Sequence, residues 1–292
     1  MANSIEDARH WYAEELRFTA KVSSRALIRA FATVPRERFV GPGPWRVRSP
    51  MRPGLEEYWT TDDADPRCVY HNALIALDEA RGINNGQPSL WALLFDELAI
   101  ATGEHVLHLG CGTGYYTAII AELVGSTGKV TALEIDGMLA EKAIAALALW
   151  PQVTVRNADG SRSAFDPVDV IVVSAGATHP LRSWLDALKP AGRLLFPMTA
   201  TRGGPGAALL VARGAQDALA ARFVCRVGFI PFEGARDRVM SRRLAAALLR
   251  DWGAAVKSLR RDTHKKDETC WLHDKAWCLS RLAPRGSGPA PS

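Results

Sequence analysis

The sequence predicts an α/β protein built on a doubly wound, mostly parallel, Rossmann-like sheet, and three observations carry that reading. The short apolar run Val106-Leu107-His108-Leu109 stops at three alternating glycines, Gly110, Gly112 and Gly114, and a helix-competent stretch over 115–124 follows at once. Apolar segments over 130–135, 153–155, 168–173 and 192–197 then alternate with helical spacing over 139–148 and 180–188, the rhythm of repeated βαβ units. Val170-Ile171-Val172-Val173 is apolar without alternation, as a strand covered on both faces should be.

The remaining elements follow in order. Apolar residues at helical spacing (Ala8, Trp11, Tyr12, Leu16, then Leu27, Ile28, Phe31) predict two amphipathic helices over 5–18 and 23–33. Ser23 or Ser24 can cap the second, which ends before Pro35. Residues 41–67 are rich in Pro, Gly and charge and show neither period, so a long irregular connection is expected. A short strand or hairpin over 69–77 precedes the turn Gly82-Ile83-Asn84-Asn85-Gly86-Gln87-Pro88, and Pro88 starts a helix over 90–99. Beyond the βαβ repeats, 207–212 and 222–230 are close enough to form an antiparallel edge hairpin, which completes seven strands. Residues 238–282 read as a helical extension, and 283–292 as a frayed end. Three regions are thus expected: N-terminal helices with an acceptor-side loop over 1–88, a cofactor-binding Rossmann-like domain over 89–235, and a basic helical C-terminal extension over 236–292.

A chain of 292 residues with 48% hydrophobic content can bury one full α/β core and still carry flanking elements. No apolar run reaches the ~20 residues a bilayer span needs, and acidic residues stand near the start where a secretory leader would be apolar. The five cysteines are odd in number and form no C-x-x-C pair, which favours a reducing compartment, and a cytoplasmic protein is expected. His264, Cys270, His273 and Cys278 could be drawn as a zinc set, but of these only Cys270 and His273 have a usual ligand spacing, so no metal is expected. The formal charge of +5 is uneven, with thirteen Lys/Arg against six Asp/Glu from Arg236 onward. Without aromatic residues interleaved as on a stacking platform, this tail reads as a solvated face rather than a nucleic-acid site.

The glycine loop carries the chemistry. Alternate glycines permit positive φ and bring bare amides against a ligand. The compact Gly110-Cys111-Gly112-Thr113-Gly114 is tighter than the G-x-G-x-x-G that leaves room for a dinucleotide pyrophosphate, and so favours S-adenosylmethionine over NAD. Glu134, at the end of the second strand, is placed to accept from ribose hydroxyls, and Asp159, after the third, could accept from an adenine amino group. Ile135, Gly160 and Ser174 complete the expected cofactor set, Cys111 is read as a small filler, and Tyr115 either covers the cofactor or only starts the helix.

These stretches together resemble the protein-L-isoaspartate O-methyltransferase family over roughly residues 23–234. Val34-Pro35-Arg36-Glu37-Arg38-Phe39-Val40 is similar to its V-P-R-E-x-F-V, and residues 105–116 to its cofactor loop. Asp159-Gly160 is similar to its D-G, residues 165–177 to F-D-x-I-x-V-x-A-A, and residues 188–197 to L-K-x-G-G-R-L-x-x-P. The resemblance implies a seven-stranded methyltransferase sheet and methyl transfer from S-adenosylmethionine to an isoaspartyl carboxylate. It also exposes a departure. The family's acceptor loop G-Q-T-I-S-x-P carries a serine whose hydroxyl meets the substrate carboxylate, and Gly86 stands in its place. Asn84, Asn85 and Gly86 are therefore the acceptor-side candidates, with His179 at the rim beyond the fourth strand. The expected function is carboxyl O-methylation of a peptide or small-molecule acceptor. Alternatives are isoaspartyl repair and a non-catalytic module that binds the cofactor. After the fourth strand, Ser174-Ala175-Gly176-Ala177-Thr178-His179-Pro180 lacks the amide and proline pair that would hold an exocyclic amine, so a nucleic-acid acceptor is not expected.

Overall fold

The computed structural model describes residues 4–50, 58–201 and 204–284. In chain order the elements are α1 (Ile5–Thr19), α2 (Arg25–Thr33), β1 (Arg46–Arg48), β2 (Trp59–Thr60), β3 (Leu74–Asp78), β4 (Ile83–Asn84), α3 (Pro88–Leu98), β5 (His105–Leu109), α4 (Tyr115–Val124), β6 (Lys129–Glu134) and α5 (Gly137–Ala146). Then come β7 (Val153–Asn157), β8 (Val168–Val173), α6 (Arg182–Asp186), β9 (Leu188–Thr199), β10 (Gly206–Arg213), β11 (Leu219–Arg226), α7 (Arg238–Asp251), β12 (Ser258–Arg260), β13 (Cys270–His273) and β14 (Cys278–Ser280). The predicted fold class stands: helices α4, α5 and α6 follow β5, β6 and β8 in the expected rhythm, and β5, β8 and β9 pair in parallel. No helix among the described residues is long and apolar enough to cross a membrane.

The chain forms two compact units, Met1–Glu104 with Cys111–Asn157, and His105–Gly110 with Ala158–Ser292. In the first, α1 opens with a capping box: Asp7 N–H donates to Ser4 Oγ (3.1 Å), and Ser4 N–H donates to Asp7 Oδ2 (3.0 Å). Ser24 Oγ caps α2 by accepting from Leu27 N–H at 3.2 Å. The connection over 41–67, expected to be irregular, instead contains β1 and β2, which join β3 and β4 in an antiparallel sheet of order β2-β1-β3-β4. Residues 51–57 of that connection lie outside the described residues. Strands of two or three residues complete no alternation that a sequence pattern could reveal. β6 and β7 pair in parallel.

A buried guanidinium ties this unit together. Arg36 has no exposed surface, donates through Nη1 to the carbonyls of Val69 (2.7 Å) and His71 (2.8 Å), through Nη2 to that of Ala73 (2.8 Å), and through Nε to Asn85 Oδ1 (3.2 Å). Two residues on, Arg38 Nε donates to the Ala146 carbonyl at 2.6 Å, where the last turn of α5 has carbonyls without helical partners.

The second unit holds a mixed sheet of order β13-β14-β12-β11-β10-β9-β8-β5. β5 with β8 and β8 with β9 are parallel, and the pairs beyond β9 are antiparallel, including the expected β10–β11 hairpin. Asp169 Oδ2 accepts from His105 N–H and from Lys189 Nζ, both at 2.8 Å, fastening the starts of β5, β8 and β9. The helical extension expected over 238–282 is helical only in α7. Trp252 (φ 54°) and Gly253 (φ 76°) then turn the chain left-handed, and three short strands add to the β11 edge. The aromatic and β-prone content of Cys270-Trp271-Leu272-His273, packed on Phe223 with ring centroids 5.2 Å apart, outweighs the helix-permissive flanks. Of the end expected to fray, residues 285–292 lie outside the described residues.

Replacing Arg36 by Met keeps the volume but leaves buried carbonyls without donors, each costing about 1–3 kcal/mol. R36M should therefore lose about 3–5 kcal/mol in urea denaturation. R36K should recover less than half, because an ammonium cannot reproduce the planar fork.

Candidate functional site

In the first unit the glycine loop and the second-strand carboxylate meet directly. Gly112 N–H donates to Glu134 Oε2 at 2.7 Å, Asp136 N–H to Glu134 Oε1 at 3.0 Å, and Cys111 N–H to the Leu133 carbonyl at 3.2 Å. Glu134 is buried, and that burial raises its carboxyl above the usual range, while the N–H donors of Asp136 and Gly112 oppose the rise. Asn157 Nδ2 donates to the carbonyls of Glu134 (2.8 Å) and Ile135 (3.1 Å), which fixes the end of β6 and leaves the Ile135 side chain exposed.

Gly112 has φ 58°, and a Cβ built on it would meet nothing within 4 Å. Gly114 has φ 96° and caps α4, where a Cβ would stand 2.6 Å from Leu147. Thr113 is buried, and its Oγ1 is the one buried side-chain oxygen without a hydrogen-bond partner among the described residues. Cys111 is buried and its thiol is pushed up, by burial first and by the charge of Glu134 second, so it is a poor nucleophile. Tyr115 was expected either to cover the cofactor or only to start the helix. It is buried, its hydroxyl lies 3.3 Å from that of Tyr12, and its ring packs against Phe39 (5.7 Å) and Tyr116 (5.0 Å), so it begins the helix as a core residue.

The acceptor-loop candidates are in the same unit and are all engaged. Asn84 Oδ1 accepts from Gly86 N–H at 2.9 Å, Asn85 Oδ1 is held by Arg36, and the Gly86 carbonyl accepts from Tyr116 Oη–H at 3.2 Å. Asn85 N–H donates to the Ile75 carbonyl at 2.8 Å, and Gln87 Nε2 to Ser89 Oγ at 2.9 Å. Gly86 has φ 77°, and a Cβ there would lie 2.9 Å from Trp91 Nε1 and 3.1 Å from Tyr116 Cε2.

The second unit carries Gly110, Asp159, Gly160, Ser174 and His179. Gly110 (φ 75°) follows β5, and a Cβ on it would come within 3.9 Å of Ser174. Ser174 Oγ lies 2.7 Å from His108 Nε2, and burial lowers the His108 pKa to about 3, so this imidazole is neutral. Asp159 Oδ1 accepts from Ser161 N–H (2.8 Å) and Ser161 Oγ–H (2.7 Å), and Arg162 Nε stands 3.4 Å from its other oxygen. Gly160 is closely packed: a Cβ would sit 3.2 Å from both Leu109 and Phe232, while its carbonyl accepts from Trp184 Nε1 at 3.2 Å. His179 is half-buried with Nδ1 2.9 Å from Thr178 Oγ1, and burial lowers its pKa against the opposing charges of Asp237 and Asp274.

Sequence reasoning missed four residues that shape these groups. His108 carried a signal, a polar residue inside an apolar strand directly before the loop. Trp91 and Tyr116 carried none, since helical apolar spacing hides them. Arg236, which donates to the carbonyls of Gly176 and Thr199 at 2.8 Å, was read only as the start of a basic tail. Elsewhere in the second unit His264, Cys270, His273 and Cys278, for which spacing argued against a zinc set, converge on one another, with one donor atom from each lying within 4.8 Å of the others.

A βαβ unit with this glycine loop and a carboxylate closing its second strand defines an α/β methyltransferase fold. Solved structures of the same fold include a protein-L-isoaspartate O-methyltransferase (TM-score 0.57, 24% identity, covering 86% of this chain and 72% of that one). Another is a putative protein-L-isoaspartate O-methyltransferase from Plasmodium falciparum in complex with S-adenosyl-L-homocysteine (TM-score 0.61, 14% identity, 77% and 98%). Residues 56–237 match the family described as Protein-L-isoaspartate(D-aspartate) O-methyltransferase (PCMT). Protein-L-isoaspartate O-methyltransferase 1 of Rhodopseudomonas palustris (strain HaA2) is 32% identical over 239 residues, 78% of this chain and 86% of its own. The Methanothermobacter thermautotrophicus protein-L-isoaspartate O-methyltransferase is 28% identical over 236 residues, 78% and 96% of the two chains. This chain belongs to the protein-L-isoaspartate O-methyltransferase family.

Restoring the family's serine should fail on steric grounds. G86S combines a left-handed φ with a Cβ against a buried indole, and should lose about 2–4 kcal/mol in thermal or urea unfolding. G86A should lose as much, which would assign the penalty to the Cβ rather than the hydroxyl.

Proposed function

We propose that this chain is a carboxyl O-methyltransferase that uses S-adenosylmethionine and acts on a carboxylate of a peptide or small molecule other than, or broader than, isoaspartyl protein. Gly86 carries the reading. The position at which the family resemblance expects a substrate-contacting hydroxyl holds a glycine that Trp91 and Tyr116 crowd.

The residues fit the cofactor on two grounds: the bare approach at Gly112, and the buried Thr113 Oγ1 without a partner. Gly110, Gly112 and Gly114, with Cys111 and Thr113 between them, would cradle its methionine part. Glu134 keeps lone pairs on both oxygens after accepting from Gly112 and Asp136, and would receive the ribose hydroxyls. Ile135 in the first unit, and Asp159, Gly160 and Ser174 in the second, are the sequence's candidates for the nucleoside. When bound, S-adenosylmethionine supplies an electrophilic methyl and a neutral thioether leaving group. The acceptor is a carboxylate, ionised at neutral pH, so the chain supplies orientation and exclusion of water rather than a base. Residues 1–88 would form the acceptor side, with Asn84, Asn85 and Gly86 in the loop. His179, neutral because burial lowers its pKa, would act as a polar rim group. A reducing compartment, the cytoplasm, belongs to the same proposal.

Family membership favours a second reading, isoaspartyl repair. Against it, two of the loop's donors are committed, Gly86 N–H to Asn84 and Gln87 Nε2 to Ser89, and Arg36 orients the Asn85 amide through its Oδ1.

A panel of carboxyl-bearing peptides, assayed by mass spectrometry of methylated products, decides between them. A missing hydroxyl contact to a carboxylate is worth about 1.5–3 kcal/mol. Isoaspartyl peptides should therefore react with kcat/KM roughly 10- to 100-fold below that of a repair enzyme, while another carboxylate reacts well; parity on isoaspartyl peptides overturns the proposal, and no product with any acceptor leaves only a binding module. Glu134 tests the cofactor half. E134Q should weaken S-adenosylmethionine binding roughly 10-fold by calorimetry. Because the raised pKa lets Glu134 protonate above the ordinary glutamate range, wild-type affinity should begin to fall there on acidification, and E134Q should lack that step.

A further inference from the structure

We propose that His264, Cys270, His273 and Cys278 bind one zinc ion in a closed Cys2His2 site that fastens the C-terminal strands. Cys270 Sγ lies 3.5 Å from His264 Nε2 and 3.8 Å from His273 Nδ1. With Zn–S near 2.3 Å and Zn–N near 2.0–2.1 Å, a tetrahedron has a sulfur–nitrogen edge of about 3.6 Å. The two edges in the structure already bracket that value, and all four donor atoms fall within 4.8 Å of one another.

The fold supplies what the sequence spacing does not. Residues three apart on a regular strand point to opposite faces. In β13 the register against β14 shifts between Cys270 and Leu272, a bulge that returns Cys270 and His273 to the same side, and His273 is paired across the ladder with Cys278. His264 reaches the cluster from the loop after β12. The imidazoles of His264 and His273 meet edge to face with centroids 4.8 Å apart.

The surroundings prepare the ligands. His264 Nδ1 lies 3.0 Å from the Asp262 carbonyl and 3.6 Å from its carboxylate, while Arg260 holds that carboxylate through Nε (3.0 Å) and Nη2 (2.7 Å). A proton on Nδ1 serves those acceptors and leaves the Nε2 lone pair facing Cys270, the arrangement found behind metal-bound histidines. Asp267 N–H donates to Cys270 Sγ at 3.5 Å, a bond that strengthens when the sulfur is a thiolate. Binding displaces one proton from each thiol, including the one Cys270 shares with Asp267 Oδ1 at 3.4 Å. Both cysteines are buried, and four protein ligands leave no open position, so the site is structural rather than catalytic. Packing alone accounts for two buried cysteines as small apolar fillers. It does not account for two imidazole nitrogens turned onto one sulfur.

The test uses the full chain, expressed with zinc and purified under reducing conditions. Inductively coupled plasma mass spectrometry should find about one zinc per chain, against less than a tenth in the C270S/C278S double variant. Removing zinc with a chelator and adding Co(II) to the wild type should give visible ligand-field bands and a thiolate-to-cobalt charge-transfer band. Retained S-adenosylmethionine binding by the double variant would show that the loss is local. Hydrogen exchange over 258–282 should quicken on chelation. Wild-type protein with neither zinc nor cobalt bands overturns the proposal. So does an intact mass lighter by two hydrogens, which would mean a Cys270–Cys278 disulfide.

Discussion

The buried guanidinium of Arg36 is the constraint on which the first unit depends. An arginine without solvent contact is stable only when its donors are met, because burying an unpaired charge costs several kcal/mol. Here the acceptors come from separate stretches: the carbonyls of Val69, His71 and Ala73, and the amide oxygen of Asn85. The rings of Tyr12 and Tyr115 lie 5.8 and 5.7 Å from its central carbon, so helix α1 and the first residue of α4 pack around the same charge. One side chain thereby fixes the small sheet, the acceptor loop and the helix that follows the glycine turn.

The second unit repeats the device with Arg236. Its Nη1 donates to the carbonyls of Gly176 and Thr199 and to Thr199 Oγ1, each at 2.8 Å, and its Nη2 donates to the Ala200 carbonyl. Thr178 Oγ1 accepts from Asp237 N–H at 3.0 Å and contacts His179 Nδ1 at 2.9 Å. The segment after β8 is thus clasped from its C-terminal side. In both units an arginine serves carbonyls in loops and at the ends of regular elements, which lets loops form without leaving buried carbonyls unpaired.

What the sequence made legible follows from range. Helices α1 and α2, the apolar strand β8 and the glycine turn are local patterns, and so is the placement of Glu134 at a strand end; each could be read because its cause lies within a few residues. The β1–β2 pair and the strands β12 to β14 escaped, since two to four residues complete no period. Arg36 was visible only as a letter of a motif, because its partners lie 33 to 49 positions away. The His264, Cys270, His273 and Cys278 cluster was discounted on spacing alone. A bulge that no residue pattern announces brings it together.

The acceptor loop shows why a single-residue reading of the departure from the family is too simple. Gly86 differs from the expected serine, but its φ of 77° and the indole 2.9 Å from a Cβ mean that the backbone path and Trp91 differ from a serine-compatible loop as well. Tyr116 then binds the Gly86 carbonyl, and Asn84 binds its amide, so the path is held from both sides. Any group that recruits the Gly86 amide or carbonyl must first release a partner worth about 1 kcal/mol. The loop's conformation resides in the coupled set of Arg36, Asn84, Gly86, Trp91 and Tyr116. Moving the loop to a serine-bearing form would require changing several of these together, since neighbours in contact do not contribute independently.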